Sequence, residues 1–393
     1  MTVSVIVPLY KGKKFVKIII EMILRNKEVL DREFKETVLV NLIFVNDYPA
    51  ENIEKSDMVG LDCTLLHHTQ NEGIHKSRVD GLKEAEGDFV MFLDQDDSIS
   101  DDYLLTQLRT LHSTNTDWVI CNGLFRTSRR IFSSEQAVEN VLDEKHYFSD
   151  LTEIVSPGQV LIRKKEIPDT WIDNILRNNY CDDAFLWLLL KNKGSRLSYN
   201  ESVSYFHNED GNNTSFSWKN NAEALRELKQ VVLDAKCLKD ESEKLFCVTV
   251  DREINKQDTF GRLEEIYALF RNRNISVEIN YLIKGHSIVI YGYGIWGRRI
   301  YKLLKKNGVD VKAVIDRNIE GTIDGVMVCP FEEVSDHVLD INNCLVVFTP
   351  ILNKDSIAGI MKEIGLNDYV TIVEMFEIIY SMVSETQLSR KCQ

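Results

Sequence analysis

The stretch Phe89-Val90-Met91-Phe92-Leu93-Asp94-Gln95-Asp96-Asp97 joins an apolar run to three carboxylates that fall within four residues. The apolar part is long enough for one buried strand, and the acids begin where that strand would end. A turn does not need so many like charges in one place, so a positive group is expected beside them. A hard cation that holds a diphosphate against the strand end is the simplest candidate. The alternative is an acidic junction between strand and loop with solvated Asp side chains, because Asp is common where strands end in turns.

Composition limits the class of protein and its partners. With 393 residues, the chain is expected to form two or three domains. Its 44% hydrophobic and 27% charged residues are typical of a globular protein with buried sheets. The net charge of -14 and the pI of about 5.2 argue against a nucleic-acid partner. They also disfavour broad adsorption to anionic membranes, so at most a peripheral association through a local basic patch is expected.

The cysteine pattern and the hydropathy of the N-terminal region predict a cytoplasmic protein. The eight cysteines include no CxxC pair, which indicates scattered thiols in a reducing compartment rather than a zinc site or a disulfide framework. Residues 1–9 read as a strand and not as a signal peptide. The most apolar early segment, 15–24, is broken by Lys17 and Glu21 and is too short to span a bilayer.

Apolar runs and helical periodicities alternate along the N-terminal region. Strands are predicted at 3–9, 38–45, 63–66 and 89–93, and helices at 15–24 and 74–85. This alternation predicts an α/β fold with a parallel sheet covered on both faces. Ligands collect at the carboxyl ends of strands in such sheets. The rule brings three segments to one crevice, namely 8–11, 46–47 and 94–97.

Four motifs in this region resemble sequence elements of bacterial family 2 glycosyltransferases, which are inverting enzymes of the GT-A type. The resemblance rests on Pro8-Leu9-Tyr10-Lys11-Gly12 (PxYNG), Val45-Asn46-Asp47-Tyr48-Pro49 (VNDGS), Asn71 to Gly87 (NxGxxxARxxGxxxAxG) and Phe92 to Asp97 (FLDxDD). The motifs occur in the family's order and cover residues 3 to about 103. Lys11 in place of Asn, and Tyr48-Pro49 in place of Gly-Ser, depart from the pattern, so contacts to the base or ribose are expected to differ. The resemblance implies the GT-A nucleotide-diphospho-sugar transferase fold.

The same resemblance implies a UDP-sugar donor bound together with Mn²⁺ or Mg²⁺. Asp96 is then the first choice for a metal ligand, and Asp94 bonds the ribose hydroxyls or joins the metal. Asp97 is an alternative for either task. Asp47 is expected to accept a hydrogen bond from uracil, and Arg78 to help fix the base or a phosphate. A turn cap and an ion pair on a helix surface are the respective alternatives. Further donor contacts are expected from Pro8, Tyr10 and Asn71.

An inverting transferase also needs a general base that takes a proton from the acceptor hydroxyl. Residues 185–190 are apolar and predict a buried helix, with Asp182 and Asp183 opening its first turn. Acids favour that position through the helix dipole alone, so capping is the alternative. The segment also resembles the family's EDxxL motif, which implies Asp183 as the base and Asp182 in place of the usual Glu. His207, near the end of a predicted strand, is expected to join the metal or the diphosphate, or else to be an ordinary loop histidine.

The rest of the chain predicts two further parts. Residues 219–284 have helical patterns with mixed charge and predict a helical connector, or alternatively a face that docks to a partner or a membrane. From residue 285 the pattern is strand, glycine turn, helix and a strand that ends in an acid, which is the dinucleotide-binding fingerprint. A smaller Rossmann-like domain is therefore predicted, used either for nucleotide binding or for assembly and acceptor positioning. Its candidate residues are Gly292, Gly294, Gly297 and Asp316.

The sequence as a whole predicts a GT-A glycosyltransferase domain at 1–218, a helical connector at 219–284 and a Rossmann-like domain at 285–393. The expected function is metal-dependent, inverting transfer of a hexose or N-acetylhexosamine from a UDP-sugar to a hydroxyl of a growing glycan. The glycan acceptor is then lipid-linked or protein-linked, and a homo-oligomer is compatible with the sequence. Two rival functions stay open. One is a nucleotide-dependent, NAD-type oxidoreductase or epimerase centred on the C-terminal domain, and the other is a glycan-assembly scaffold without turnover.

Overall fold

The computed structural model describes residues 1–55, 58, 60–143, 145–151, 153–208, 217–316, 319, 321–330, 343–350, 354–364 and 368–391. The chain forms two compact units, Met1–Gln257 and Asp258–Gln393. No helix within these described ranges combines the length and the apolar run that crossing a membrane requires.

The first unit alternates strands and helices, as the sequence predicts. Its strands are β1 (Thr2–Leu9), β2 (Leu39–Asn46), β3 (Cys63–His67), β4 (Phe89–Phe92), β5 (Ser98–Ile99), β6 (Trp118–Phe125), β7 (Val160–Arg163) and β8 (Leu197–His207). Its helices are α1 (Lys13–Glu33), α2 (Ile74–Glu84), α3 (Tyr103–Thr114), α4 (Glu135–Leu142), α5 (Asp169–Asp173), α6 (Asp182–Lys193) and α7 (Trp218–Ala235).

Helix α8 (Asp240–Phe270) contains the boundary between the two units. Sequence periodicity predicts separate helices at 241–255 and 263–270, but the structure has a single helix there. The intervening residues include no proline that would break it, and the one glycine, Gly261, is tolerated in a helix at a cost of about 1 kcal/mol.

A single sheet lies at the centre of the first unit, with the strand order β3-β2-β1-β4-β7-β6-β8-β5. The strands β3, β2, β1 and β4 are parallel to their neighbours. Strand β7 runs antiparallel to both β4 and β6, so the second half of the sheet is mixed. The predicted α/β class is therefore confirmed.

Side chains of β1 alternate between two hydrophobic cores, one on each face of the sheet. Val3, Val5 and Val7 join the core that includes residues of α1 and α3. Ile6 joins the core that includes residues of α2, α6 and α7. Burial on both faces explains why β1, β2 and β4 are nearly continuous apolar runs rather than alternating ones.

Strand β1 ends at Leu9, as the sequence predicts, and contains Pro8 next to its end. The last pair between β1 and β4 is Ile6↔Phe92, so the missing N–H of Pro8 interrupts no hydrogen bond of that ladder. On the other side, Leu9 pairs with Asn46 at the end of β2. The carboxyl ends of β1, β2 and β4 therefore face the same edge of the sheet.

The second unit has a smaller sheet with the order β11-β12-β10-β9-β13-β14. These strands are β9 (Ser287–Tyr291), β10 (Val311–Ile315), β11 (Gly321–Ile323), β12 (Val326–Cys329), β13 (Cys344–Phe348) and β14 (Asp368–Thr371). The helices are α9 (Ser276–Ile283), α10 (Ile295–Lys306), α11 (Lys354–Ile364) and α12 (Ile372–Lys391). Apart from the antiparallel edge strand β11, all neighbours are parallel. The parallel strands can be numbered 1 to 5 in chain order, so that β9 is 1 and β14 is 5. Their order across the sheet is then 3-2-1-4-5, which is also found in doubly wound nucleotide-binding folds.

The turn between β9 and α10 depends on close backbone approach. Gly292 has a φ of 88°, a conformation that favours glycine. A Cβ atom at Gly297 would lie 2.0 Å from the carbonyl oxygen of Gly292. Residue 297 must therefore be glycine if the helix is to start so near the strand.

Replacing Gly297 by Ala tests this close approach. The added methyl group pushes the first turn of α10 away from residue 292, and we expect the free energy of unfolding of the second unit to fall by about 1–3 kcal/mol. Hydrogen exchange of residues 287–306 in the full chain measures the loss. Gly294→Ala is the matched control, because a Cβ at Gly294 meets nothing within 4 Å. Equal losses in the two variants would contradict this account.

Candidate active site

The carboxyl ends of β1, β2 and β4 open into a cavity of about 430 Å³, here called the strand-end cavity. The start of α2 and the end of β8 complete its wall. Residues predicted to bind the donor or a metal lie together here. They are Pro8, Tyr10, Asp47, Asn71, Asp94, Asp96, Asp97 and His207.

A second cavity of about 370 Å³, here called the carboxylate cavity, lies beside the first turn of α6. Asp182 and Asp183 line it, as does Glu253 of α8. Its apolar wall is formed by Phe125, Leu151, Ile154, Val155, Pro157 and Leu225. The two cavities share the lining residues Ile74, Asp94 and His207, so the predicted donor residues and the predicted base border adjoining spaces.

A buried guanidinium group links the two cavities. Nη2 of Arg78 lies 2.5 Å from Oδ1 of Asp94, and Nη1 lies 2.6 Å from Oδ2 of Asp182. The Arg78 side chain is 4% exposed. Burial acts to lower the pKa of Arg78, but the charges of Asp182 and Asp94 outweigh it and raise the pKa. The terminal nitrogens of Arg78, which lines the carboxylate cavity, therefore bond one carboxylate that lines both cavities, Asp94, and one that lines the carboxylate cavity, Asp182.

Asp183 has the proton affinity of a base that works near neutral pH. Burial, reinforced by the negative charge of Asp182, raises the pKa of Asp183 to about 7. Arg78 opposes this effect, but its hydrogen bonds go to Asp94 and Asp182. Oδ1 of Asp183 accepts a hydrogen bond of 2.7 Å from the N–H of Ala184. A half-buried carboxyl group that titrates near neutrality and lines a cavity is suited to proton transfer.

Asp97 is buried and bonds the end of β8. Its carboxylate accepts hydrogen bonds from the hydroxyl of Tyr205 and from the N–H of Asn208, the latter at 2.9 Å. Nδ1 of His207 lies 3.0 Å from the Tyr205 hydroxyl and 3.4 Å from Oδ1 of Asp97. A carboxylate placed behind a histidine in this way fixes the ring orientation that metal binding needs. These contacts hold His207 at the border of both cavities.

Asp47 organises the loop before α2. Its Oδ1 accepts a hydrogen bond of 2.7 Å from the N–H of Glu72, and its Oδ2 accepts one of 2.9 Å from the N–H of Gly73. Nδ1 of His68 lies 2.8 Å from the same Oδ1. Asp47 therefore positions the first turn of the helix that carries Arg78, while its predicted contact with uracil stays a prediction.

The residues that depart from the family pattern lie next to Tyr10. The ring of Tyr10 is 44% exposed and meets that of Tyr48 edge to face, with centroids 5.1 Å apart. Nζ of Lys11 lies 5.5 Å and 5.4 Å from the centroids of these two rings. Lys11 has a φ of 53°, a region where Asn is enriched and Lys is uncommon. Lys11 thus adopts the backbone conformation that an Asn would favour, and its ammonium group packs against both rings.

The described residues offer part of a ligand set for a metal ion. Within the described ranges, no group of three or more His, Cys, Asp or Glu side chains could hold a metal ion by itself. Asp94, Asp96 and His207 nevertheless line one cavity. Mg²⁺ is usually held by one or two carboxylates together with phosphates and water. These residues therefore fit a cation that is shared with a bound diphosphate.

Of the candidate residues of the second unit, Gly292 and Gly294 lie in the turn after β9, and Gly297 lies in the first turn of α10. Gly294 immediately precedes α10, and Asp316 immediately follows β10. Oδ2 of Asp316 accepts a hydrogen bond of 2.6 Å from the N–H of Tyr293. Asp316 therefore stabilises the glycine turn itself, and its predicted contact with a ribose stays a prediction.

Sequence reasoning missed several side chains that build the first site. His68 contacts Asp47, and Tyr205 and Ser156 contact Asp97. These contacts join residues that are 21, 108 and 59 positions apart along the chain. Hydrophobic periodicity gives no signal for such pairs. For His68 the sequence offers one weak signal, which is that this polar residue directly follows strand β3.

Comparison with known proteins agrees with the motifs. Residues 4–164 match the model of a family described as "Glycosyl transferase family 2". A curated relative, "Putative glycosyltransferase EpsH" of Bacillus subtilis (strain 168), is 32% identical over 123 residues, which cover 30% of this chain and 33% of the relative. The chain thus spans about a third of the length of that relative. The match to the family model lies within the first unit, and the predicted α/β class of fold is confirmed.

Three solved structures of complexes are similar to parts of this chain. S. aureus TarS 1-349 in complex with UDP is 19% identical with a TM-score of 0.47, covering 65% of this chain and 72% of that one. TarS 1-349 in complex with UDP-GlcNAc is 17% identical with a TM-score of 0.48, covering 83% and 95%. The mannosyltransferase PcManGT from Pyrobaculum calidifontis in complex with GDP-Man and Mn²⁺ is 14% identical with a TM-score of 0.46, covering 66% and 71%.

Replacing Arg78 by Met tests the link between the two cavities. The substitution leaves two carboxylates without their buried cation, and we expect the free energy of unfolding of the first unit to fall by about 3–5 kcal/mol. Urea unfolding followed by tryptophan fluorescence measures the change. Arg25→Met is the matched control, because Arg25 pairs with Asp101 at 2.8 Å on the surface, where both side chains are at least half exposed. The control should cost less than about 1 kcal/mol, and similar losses in both variants would argue against the link.

Proposed function

We propose that this chain is a metal-dependent, inverting glycosyltransferase that moves a hexose or N-acetylhexosamine from a UDP-sugar to a hydroxyl of a growing glycan. One observation carries the proposal. The guanidinium of Arg78 bonds Asp94 at the sheet edge and Asp182 in the turn that presents Asp183. Transfer requires the leaving group and the general base to lie on either side of one sugar, at a fixed separation. A buried ion pair between the two cavities supports that requirement.

The strand-end cavity is the proposed donor site. Uracil would lie near Tyr10 and Asp47, and the ribose and diphosphate near Asp94. Further donor contacts would come from Pro8 and Asn71. Asp96, with Asp94 and His207, would hold Mn²⁺ or Mg²⁺, which offsets the negative charge that grows on the leaving diphosphate. The family match over residues 4–164 supports this assignment, because it includes all four donor-side motifs.

The carboxylate cavity is the proposed acceptor site. Asp183 takes the proton of the acceptor hydroxyl while the hydroxyl oxygen bonds to the anomeric carbon. The bond between that carbon and the diphosphate breaks on the opposite face, so UDP leaves and the configuration inverts. The apolar wall and the ring of Tyr180 suit the apolar face of a sugar. Asp182 and Glu253 disfavour an anionic group, so the accepting residue is proposed to be an uncharged sugar of a lipid-linked or protein-linked glycan.

The second unit is proposed to be a Rossmann-like module. The order of its parallel strands and the close approach of Gly297 to Gly292 support this. Nucleotide binding there stays a prediction, and the described contacts add no support for an oxidoreductase or an epimerase. Scattered cysteines support action in the cytoplasm, with at most peripheral membrane association.

Release of UDP from a panel of UDP-sugars, with Mn²⁺ and glycan acceptors, tests the function through Asp183. The wild-type chain should release UDP, and Asp183→Asn should release it about 10²–10⁴-fold more slowly because the general base is gone. UDP should still bind, since the strand-end cavity is unchanged. Asp240→Asn is the control, because Asp240 is an exposed acid in the first turn of α8 and tests whether helix capping alone explains the effect.

The raised pKa of Asp183 predicts that the rate of transfer depends on pH. Asp183 must be ionised to accept a proton, and its pKa is raised to about 7. The value of kcat/KM should therefore rise with pH up to about 7 and level off above it, and Asp183→Asn should lack this limb. Unchanged turnover in Asp183→Asn, or no UDP release from any donor by the wild-type chain, would refute the proposal.

Replacing Asp96 by Asn tests the proposed metal ligand. We expect the affinity for Mn²⁺ in the presence of UDP to fall at least about 10-fold. Loss of a residue that only orients a metal ligand costs about that much affinity, and loss of the ligand itself should cost no less. Electron paramagnetic resonance of free Mn²⁺ measures the affinity without relying on turnover. Asp101→Asn is the matched control, because Asp101 is an exposed acid that pairs with Arg25. If Asp96→Asn bound Mn²⁺ as tightly as the wild-type chain, Asp96 would not be a ligand.

A further inference from the structure

The loop of residues 174–181 connects α5 to α6 and touches both cavities. Asn179 lines the strand-end cavity. Tyr180 and Cys181 line the carboxylate cavity, and Asp182 and Asp183 follow at once in the first turn of α6. The conformation of this loop therefore sets the position of the proposed base relative to the proposed donor.

Tyr180 has a backbone conformation that its surroundings must maintain. Its φ is 126°, in a region that residues other than glycine rarely adopt. Such a conformation costs free energy and persists only where neighbouring contacts enforce it. The contacts that fix the loop on either side of Tyr180 are therefore of functional interest.

Two of these contacts come from α2. Nδ1 of His75 accepts a hydrogen bond of 2.9 Å from the N–H of Leu176. Oδ1 of Asn179 accepts a hydrogen bond of 3.0 Å from the N–H of Ile74. Both tie the loop to the helix that carries Arg78.

Further contacts come from α7, which lies beyond residues 4–164, the segment that matches the family model. Oε1 of Glu227 accepts a hydrogen bond of 2.8 Å from the N–H of Arg177. Its Oε2 accepts hydrogen bonds from the N–H and the side-chain amide of Asn178, at 2.8 Å and 2.9 Å. A carboxylate that accepts three hydrogen bonds is a stronger tether than a neutral acceptor. Two residues earlier on the same helix, Leu225 lines the carboxylate cavity.

We propose that Glu227 is a positioning residue for the transfer reaction. Its carboxylate fixes the backbone at residues 177 and 178, which keeps Asn179 at the donor site and Asp183 at the acceptor site. The inference rests on the proposed function. It assigns α7 to the catalytic apparatus, whereas the sequence predicts that residues 219–284 are a connector.

Glu227→Gln is the decisive variant because it preserves shape but changes hydrogen bonding. Its side chain has one acceptor oxygen, whereas the N–H groups of Arg177 and Asn178 each bond a different oxygen of Glu227. One N–H group therefore faces an amide donor and loses its partner. Glu223→Gln is the matched control, because Glu223 lies one turn earlier on α7 and is exposed.

Three measurements on the full chain test the proposal. In Glu227→Gln, hydrogen exchange of residues 174–183 should become faster, and kcat should fall about 10-fold or more because the base is misplaced. The KM for the UDP-sugar should change much less than kcat. The acid limb of the pH profile should move to lower pH, because a loosened loop admits water to Asp183 and weakens the effect of burial on its pKa. Glu223→Gln should show none of these changes, and Glu227→Asp should recover part of kcat.

The outcomes separate the inference from the function on which it rests. Faster exchange with unchanged kcat and pH profile would mean that Glu227 is only a structural brace, and it would overturn the inference alone. Failure of the wild-type chain to turn over any UDP-sugar would overturn both. If Glu227→Gln does not fold, Asn178→Ala removes one of the three hydrogen bonds and should give the same changes at smaller size. Wild-type kinetics in that folded variant would overturn the inference.

Discussion

The structure of the first unit depends on one buried cation, the guanidinium of Arg78. A buried charge is costly unless it is paired, and Arg78 pairs with Asp94 on one side and Asp182 on the other. The planar fork of an arginine can bond two carboxylates at once, which the point charge of a lysine cannot do in the same way. One side chain therefore sets the separation between the edge of the sheet and the first turn of α6. Asp94 and Asp182 both line the carboxylate cavity, and Asp94 also lines the strand-end cavity.

The parallel half of this fold is predictable from sequence because β1, β2 and β4 are buried on both faces. Their runs are continuous and apolar, and each ends in polar residues at the same edge of the sheet. The strand-end rule is therefore enough to bring residues 8–11, 46–47 and 94–97 together, and the structure has them around one cavity. The acids of α6 can likewise be recognised, because residues 184–190 of this helix are apolar and its polar residues lie only in the first turn and at 191–193.

The remaining features depend on contacts between distant segments, for which periodicity carries no signal. Asp97 is next to Asp96 in sequence, yet the Tyr205 hydroxyl holds it inward, and this depends on pairing between β5 and β8. Glu227 has the appearance of any polar residue on an amphipathic helix, and only its three hydrogen bonds reveal its partners. Periodicity divides helix α8 into two helices because the polar run at residues 255–259 interrupts its apolar pattern.

The unequal partners of three neighbouring acids explain how they can differ in chemistry. Arg78 bonds Asp94 and Asp182, and these two carboxylates occupy both of its terminal nitrogens. Asp183 is one residue further along the helix, accepts a hydrogen bond from a neutral N–H, and experiences the charge of Asp182 as well as burial. A helix N-terminus ordinarily stabilises a carboxylate, so burial and the adjacent charge must outweigh that effect to bring the pKa to about 7. Among the described residues, Arg78 thus bonds Asp94 and Asp182 but not Asp183, and the raised pKa of Asp183 suits this acid to accept a proton.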